Sequence, residues 1–234
     1  MINVSDAWKT AMEETTAFTT SARIALTDGT VLDLSAEDFA VTYNGFTDSA
    51  DMLSFPVGAA ICRTCQLELA NYEDQYEDVS FIGATIRLSL DFAEASDSIA
   101  IGKYTVTEPE TYGGTVIITA QDDMYKADKP FSTSLTFPTT ANALFSEICT
   151  TCGISTLLQS IPNGTYEIAS APDTQYSCRA ILGYLAMLSG GNARISRGGY
   201  LEIVNYDFDS LNAAREETGG GLDVTVSITP TQSG

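Results

Sequence analysis

Two pairs of cysteines have the C-x-x-C spacing that is common in zinc sites: Cys62 with Cys65, and Cys149 with Cys152. Four thiolates are a frequent tetrahedral ligand set, so a zinc-stabilised binding module is one hypothesis. The local sequence favours another interpretation. Residues three apart on a strand point to opposite faces, and the chain continues from Cys65 as QLELAN, without a turn glycine. We therefore interpret the four cysteines as buried core residues and expect no metal or cofactor.

Acidic side chains gather in two short stretches that are candidates for a calcium site or a catalytic carboxylate pair. These residues are Glu73, Asp74, Glu77 and Asp78 in the first stretch, and Asp122 and Asp123 in the second. Calcium loops need ligands on alternate positions and a glycine at the sharp turn, which neither stretch has. A glycosidase needs one carboxyl group of raised pKa facing a second carboxylate, and no spacing here identifies such a pair. We expect both stretches to form a solvated face or to line a channel.

The chain contains no histidine, which excludes Ser-His-Asp and Cys-His nucleophile systems, histidine-containing zinc sites and the usual near-neutral general base. It has 31 acidic and 11 basic side chains and a formal net charge of −20, which argues against a protein that binds duplex nucleic acid through phosphate contacts. Because the histidine-dependent mechanisms are excluded, we predict that the chain is not an enzyme. It also has no apolar run of about 20 residues and no secretory signal region, so we expect no membrane span and synthesis in a cytoplasm.

Most of the remaining chain has the alternating pattern of β-strands. Residues 23–34 form two such runs around Asp28-Gly29, a dipeptide typical of hairpin turns. Further strands are predicted at 61–70, 84–92, 102–108, 115–121, 193–197 and 200–206, with a final returning strand in 219–234. Gly113-Gly114 and Gly198-Gly199 supply turns, and the arginine-containing stretch 189–199 lacks the spacing of a phosphate-binding loop. We interpret the glycines of that stretch as turn residues.

Three helices are predicted, of which the first precedes the strands and the other two interrupt them. A short one follows Ser5, and two amphipathic ones begin after Thr140 and Ser177 and end at Gly153 and Gly190. Their apolar stripes are Leu144, Phe145, Ile148, Cys149 and Cys152 in the first amphipathic helix, and Ile181, Tyr184, Leu185 and Leu188 in the second. Because strands precede, separate and follow these two helices, we predict a small α+β unit over 124–205 inserted into a β domain.

Four segments, in this order, resemble the baseplate hub family of phage tails, which includes the N-terminal region of tail-associated lysins. They are SFPVGAAICRTCQLELANY, SDSIAIGKYTVTEPETYGGTVIITAQDDMYKADKPF, TTANALFSEICTTCGI and YSCRAILGYLAMLSGGNARISRGGYLEIVNY, and the resemblance covers roughly residues 20–207. The cysteines depart from it, since they stand where small or apolar residues are expected.

The resemblance implies a mainly β fold with an α+β insertion: a tail-tube-like β-barrel domain made by residues 1–123 and 206–234, interrupted at 124–205 by a domain that carries two helices. It implies a structural hub at the virion tail tip, assembled in the host cytoplasm. Such a hub forms a homotrimeric ring that continues the tail channel and contacts distal tail, tail-tube, and tip or spike proteins. DNA passes through it without specific binding. A peptidoglycan-degrading lysin fragment is the alternative from the same family.

Overall fold

The computed structural model describes residues 5–13, 18–48, 57–92, 98–108, 110 and 112–205, and these residues are mainly β. In chain order the helices and strands are α1 (Asp6–Glu13), β1 (Phe18–Ala25), β2 (Val31–Leu34), β3 (Phe39–Asp48), β4 (Ala60–Ile61), β5 (Arg63–Ala70), β6 (Thr85–Phe92), β7 (Ile99–Val106), β8 (Thr115–Gln121), β9 (Thr139–Thr140), α2 (Ala141–Cys152), β10 (Glu167–Ile168), α3 (Cys178–Leu188), β11 (Gly191–Ile195) and β12 (Leu201–Asn205). Two 3-10 helices cover Tyr72–Asp74 and Asp123–Ala127. Within the described part, no helix is long and apolar enough to cross a bilayer.

Seven strands form one antiparallel sheet in the order β2-β1-β6-β7-β8-β5-β3. Its shortest paired seam lies between β7 and β8, where Thr105 pairs with Gln121 and Val106 with Ala120, and the Thr107 N–H beyond β7 donates to the Thr119 carbonyl. At the two edges, β2 and β3 have one neighbour each among the described strands. The described residues therefore form an open sheet and do not show the closed barrel that the sequence resemblance implies.

Alternation along the strands builds the first hydrophobic core, here called the sheet core. Strand β5 buries Cys65, Leu67 and Leu69, and every second residue of β8 is buried in the same way. These side chains join residues from β1 and β6, such as Ile24 and Ile86, in one cluster. The strands on both sides of the β7–β8 seam thus cover one shared apolar interior, because period-two patterning puts their apolar residues on the same face.

A second cluster, here called the helical core, is built by α2 and α3 against a three-stranded sheet in the order β12-β11-β4. Strands β4 and β11 pair in parallel, with Ala193 opposite Ala60 and Arg194 opposite Ile61. Strands β9 and β10 form a separate two-stranded sheet. All buried residues of α2 belong to this core, as the 3.6-residue spacing predicts.

The predicted helix caps are confirmed. The Ser5, Thr140 and Ser177 hydroxyl oxygens accept hydrogen bonds from backbone N–H groups three residues later, at 3.1 to 3.2 Å. Gly153 ends α2 with a φ of 64°, a left-handed conformation that favours glycine. Side-chain acceptors therefore satisfy backbone N–H donors that a helix start leaves without an intrahelical partner.

The predicted hairpin around Asp28-Gly29 is also confirmed, but only the glycine has a positive φ, of 94°. The Asp28 carboxylate instead accepts a hydrogen bond from the Thr30 backbone N–H at 2.8 Å. The loop is consequently longer than a two-residue turn, with the Leu26 N–H bonded to the Thr30 carbonyl at 2.8 Å.

Other expectations need correction. The single strand predicted at 61–70 is divided at Cys62, so that β4 joins the small sheet and β5 joins the large one. Tyr184, predicted in the buried stripe of α3, is 52% exposed. Helix α3 also buries Leu182 and Gly183, which were not in the predicted stripe, and the small Gly183 lies against the backbone of Gly58. Strand β3 was not predicted, and the strand expected in 219–234 lies outside the described residues.

Candidate functional site

The large sheet and the helical core meet where β8 ends, and Asp122 is the first residue beyond that strand. Its Oδ2 accepts a hydrogen bond from the Arg63 N–H at 3.0 Å, and its Oδ1 accepts one from the Met124 N–H at 3.1 Å. The Asp122 N–H in turn donates to the Arg63 carbonyl at 2.9 Å. Asp122 therefore caps the 3-10 helix Asp123–Ala127 and fixes the first residue of β5 at the same time.

Asp123, its neighbour, is held by two lysines. The Lys126 Nζ lies 2.8 Å from one carboxylate oxygen, and the Lys103 Nζ lies 3.4 Å from the other. Lys103 belongs to β7, so this ion pair ties the seam of the large sheet to the 3-10 helix. A buried carboxylate is tolerated here because cations from two elements compensate its charge.

The prediction that Asp122 and Asp123 form a solvated face or line a channel is wrong, since each is only 5% exposed. The Met124 N–H and Lys126, which partner them, are close in sequence, but the Arg63 N–H and Lys103 are distant in sequence. Both oxygens of Asp122 are occupied by backbone N–H groups. This arrangement serves to join two parts of the fold.

The stability contribution of Asp122 is expected to depend on pH. Burial raises the pKa of this carboxyl group to about 6, against the opposing effect of its backbone hydrogen bonds and of the Arg63 charge. The folded state therefore holds the proton more tightly than the unfolded state, and the contribution falls as pH rises from about 4 through about 6. Relative to Asp122→Asn, the wild type should lose on the order of 1 kcal/mol of unfolding free energy between about pH 5 and pH 7.

Urea unfolding of both proteins across this pH range measures that difference. Asp78→Asn removes a carboxylate from an exposed position and is the matched control, for which we expect a change in unfolding free energy within about 0.5 kcal/mol. A difference for Asp122→Asn that stays constant with pH would contradict the raised pKa of Asp122.

Residues 57–62 run from the helical core to the large sheet and are clamped by two polar side chains. The buried Asn192 amide oxygen accepts hydrogen bonds from the N–H groups of Gly58 at 2.8 Å and Ala59 at 2.9 Å. The Arg179 Nε donates to the Ala60 carbonyl at 2.8 Å, while its Nη1 lies 3.2 Å from an Asp128 carboxylate oxygen. The backbone of this segment is thereby fixed to α3 and β11.

The structure does not bring the four candidate zinc ligands together. Cys65 is buried in the sheet core, whereas Cys62, Cys149 and Cys152 are buried in the helical core. Among the described residues, no group of three or more cysteine, aspartate or glutamate side chains is placed to hold a metal ion. Burial raises the pKa of each of the four thiols to about 12, which disfavours the thiolate that binds zinc.

A polar pocket of about 190 Å³ opens beside the start of β5. It is lined by three arginines, Arg63, Arg194 and Arg197, together with Ile195 and Ser196. Gly198-Gly199 form the predicted turn after this stretch, and Gly199 has a φ of 86°. The interpretation of residues 189–199 as a stretch of turn residues therefore missed that Arg194 and Arg197 converge with Arg63. No local sequence pattern indicates this convergence.

The predicted exposure of the first acidic stretch is confirmed. Glu73, Asp74, Glu77 and Asp78 are all exposed, in the turn that follows β5. Tyr76 in the same turn is buried in the sheet core and packs edge-on against Phe81. The turn is thus anchored by an aromatic side chain and presents its carboxylates to solvent.

An apolar groove of about 270 Å³ lies beside α2 and α3. Its lining residues are Leu144, Tyr166, Ile168, Pro172, Tyr176, Ile181, Tyr184, Leu185 and Leu188. Tyr176 and Tyr184 pack edge-to-face with ring centroids 5.7 Å apart, and both remain partly exposed, as does Tyr166. Exposed tyrosines around an apolar groove are typical of surfaces that contact other proteins.

Comparison with protein-family profiles finds no match, and neither does comparison with curated protein sequences. Solved structures do match. A tail protein from Neisseria meningitidis MC58 aligns with a TM-score of 0.50 at 10% identity, covering 81% of this chain and 52% of that chain. The 43 kDa tail protein of prophage MuSo2 from Shewanella oneidensis aligns with a TM-score of 0.47 at 11% identity, covering 82% and 56%. A chain of a PdpA-VgrG complex aligns with a TM-score of 0.41 at 9% identity, covering 91% and 39%.

The chain thus spans about half the length of the first two of these solved proteins. At such low identity a structural match is informative about the fold alone. This chain shares its fold, mainly β with a few helices, with part of the Neisseria meningitidis tail protein.

Proposed function

We propose that this chain is a structural component of a phage or prophage tail, a baseplate hub at the tail tip without catalytic activity. The observation that carries the proposal is the fold shared with a tail protein across 81% of the chain. The four hub-like segments of the sequence support it, because they occur in the same order as in that family. The absence of histidine agrees with a role that requires no near-neutral general base.

The proposed organisation has two domains. Residues 1–123 and 206–234 form a tube-like barrel domain, and residues 124–205 form the inserted α+β domain. The two hydrophobic cores support this division, since the sheet core draws only on residues before 121 and the helical core draws almost wholly on residues after 123. Cys62 and Ala60 are exceptions, because both pack in the helical core and β4 belongs to its three-stranded sheet.

The proposed hub is a homotrimeric ring that continues the tail channel and joins the tube to tip or spike proteins. A net charge of −20 supports passage of DNA without specific binding, since carboxylates along a channel repel phosphates. The exposed tyrosines of the groove beside α2 and α3 support contacts with neighbouring tail proteins. The proposed location is the virion tail tip, after assembly in the host cytoplasm.

Native mass spectrometry combined with electron microscopy of the purified chain tests the ring. We expect a trimer whose averaged images show an open centre. A chain that stays monomeric at every concentration, in both methods, would count against the hub.

A further inference from the structure

The arginine pocket concentrates positive charge in a chain that has little of it. Only 11 of the 234 residues are basic, yet Arg63, Arg194 and Arg197 border one pocket of about 190 Å³. They come from the start of β5, from β11 and from the turn after β11. Guanidinium groups bind carboxylates through paired N–H donors, so such a pocket suits an acidic side chain.

The three arginines have different partners within the described part of the chain. Arg194 pairs with Glu202, with 2.8 Å between Nε and Oε1, and stays about half exposed. The charge of Arg63 acts on the buried Asp122 and on the Tyr104 hydroxyl, where it opposes the upward shift of both pKa values. Arg197 is exposed and has no ion-pair partner among the described side chains. Its guanidinium is therefore available to an incoming carboxylate.

The turn that carries Arg197 is held in place by its neighbours. The Ser196 N–H donates to the Tyr200 carbonyl at 2.8 Å, and the Gly199 N–H donates to the Ser196 carbonyl at 2.9 Å. Gly199 lies against Lys103, since a Cβ built there would approach the Lys103 Cδ to 2.7 Å. The backbone beside Arg197 is thus ordered before any partner binds, which reduces the entropy cost of binding.

The exposed acidic turn lies at the opposite end of the same strand. Strand β5 begins at Arg63 and ends at Ala70, and Glu73, Asp74, Glu77 and Asp78 follow directly. Eight residues of strand separate the two features by roughly 25 Å. The chain therefore carries a cationic pocket and an exposed cluster of carboxylates at the two ends of β5.

We propose that the arginine pocket binds carboxylates from the acidic turn of a second copy of this chain. Copies that each carry a net charge of −20 repel one another, so local contacts of opposite charge favour their association in one orientation. A contact between two different surfaces is head-to-tail, and it closes into a ring when the rotation between copies allows. The inference rests on the proposed self-assembly of the hub and names one of its contacts.

Charge reversal tests the contact. We expect Arg197→Glu to weaken self-association by about tenfold or more at low ionic strength, because it puts like charges together. Glu77→Arg should weaken it similarly from the other side. Arg87→Glu is the matched control: it changes the net charge equally at an exposed position on β6, and we expect wild-type association or a small change. Sedimentation velocity over a range of protein concentrations measures all four proteins.

The decisive protein carries both reversals, Arg197→Glu and Glu77→Arg, in one chain. Its pocket and turn are again of opposite charge, so we expect association to recover towards the wild-type level. Three results would each overturn the contact. They are a double variant that shows no recovery, an Arg197→Glu variant that associates as well as Arg87→Glu does, and a wild type that never associates.

A binding experiment with a labelled single-stranded oligonucleotide tests whether the pocket binds phosphate instead, because phosphate is also an anion that arginine binds. We expect the wild type to bind this oligonucleotide no more tightly than Arg197→Glu does. Binding by the wild type that Arg197→Glu abolishes would assign the pocket to nucleic acid and overturn the proposal. Rings that persist in Arg197→Glu would overturn this contact while leaving the hub intact, whereas the location of the chain in the particle tests the hub independently.

Discussion

Replacing Asn192 by alanine is expected to lower the free energy of unfolding by about 2 kcal/mol, since the Ala59 N–H loses its acceptor and the Gly58 N–H loses one of two. The Asn192 amide oxygen binds the N–H groups of Gly58 and Ala59 where residues 57–62 leave the helical core. The Gly58 N–H keeps a second acceptor, the Gly191 carbonyl at 2.9 Å, so the larger part of the loss falls on Ala59. Urea unfolding measures the total effect.

Gln75→Ala is the matched control for this variant, because it also replaces an amide side chain that binds backbone. The Gln75 Nε2 donates to the Ala70 carbonyl at 2.9 Å, but the residue is exposed and water can replace it. We expect a loss below about 1 kcal/mol there. Amide hydrogen exchange should show faster exchange at Ala59 in Asn192→Ala. Equal losses in the two variants, with Ala59 still protected, would contradict the clamp.

Gly183→Ala should destabilise the protein by about 2 kcal/mol, although alanine favours a helix over glycine by about 1 kcal/mol. A Cβ at Gly183 would lie 2.6 Å from the Gly58 carbonyl oxygen, which is a backbone atom held by its neighbours. Helix α3 would have to move away from residues 57–62. Thermal and urea unfolding of the variant measure this loss.

Gly113→Ala makes the same chemical change where there is room, because the nearest atom to a Cβ at Gly113 is the Thr115 carbonyl oxygen at 3.8 Å. We expect a change within about 0.5 kcal/mol for this control. If Gly183→Ala were neutral or stabilising, the gain in helix propensity would outweigh the contact, and the close approach of α3 to Gly58 would be wrong.

Local signals in the sequence predict much of the fold. The hydroxyl caps at Ser5, Thr140 and Ser177 act on residues three positions away, so the sequence contains all the information needed. Strand β8 was predicted over the same residues, 115–121, that the structure shows, because its alternation lies between clear turn residues. Its apolar face is therefore predictable without knowledge of its partners.

The division of the predicted strand 61–70 was not predictable, since β4 and β5 are extended and differ only in their sheet partners. Those partners, such as Ala193 for Ala60 and Ala120 for Cys65, are distant in sequence. The alternation of side chains along a strand nevertheless predicts that Cys62 and Cys65 point in opposite directions, and the two residues are buried in different cores.

The polar sites were predicted least well. Asp122 and Asp123 resemble a solvated pair in sequence, and their burial depends on donors and cations from β5 and β7. The arginine pocket depends likewise on Arg63 meeting a turn that follows β11. Charged residues on separate elements come together only through tertiary contacts. The hydrophobic periodicity of strands and helices, two or 3.6 residues, does not indicate such contacts.

Antibody labelling of particles that contain this chain, viewed by electron microscopy, tests the proposed role most directly. We expect the label at the end of the tail furthest from the capsid, and tails to be absent or incomplete in particles made without the chain. Label on the capsid, or complete tails without the chain, would contradict a hub at the tail tip.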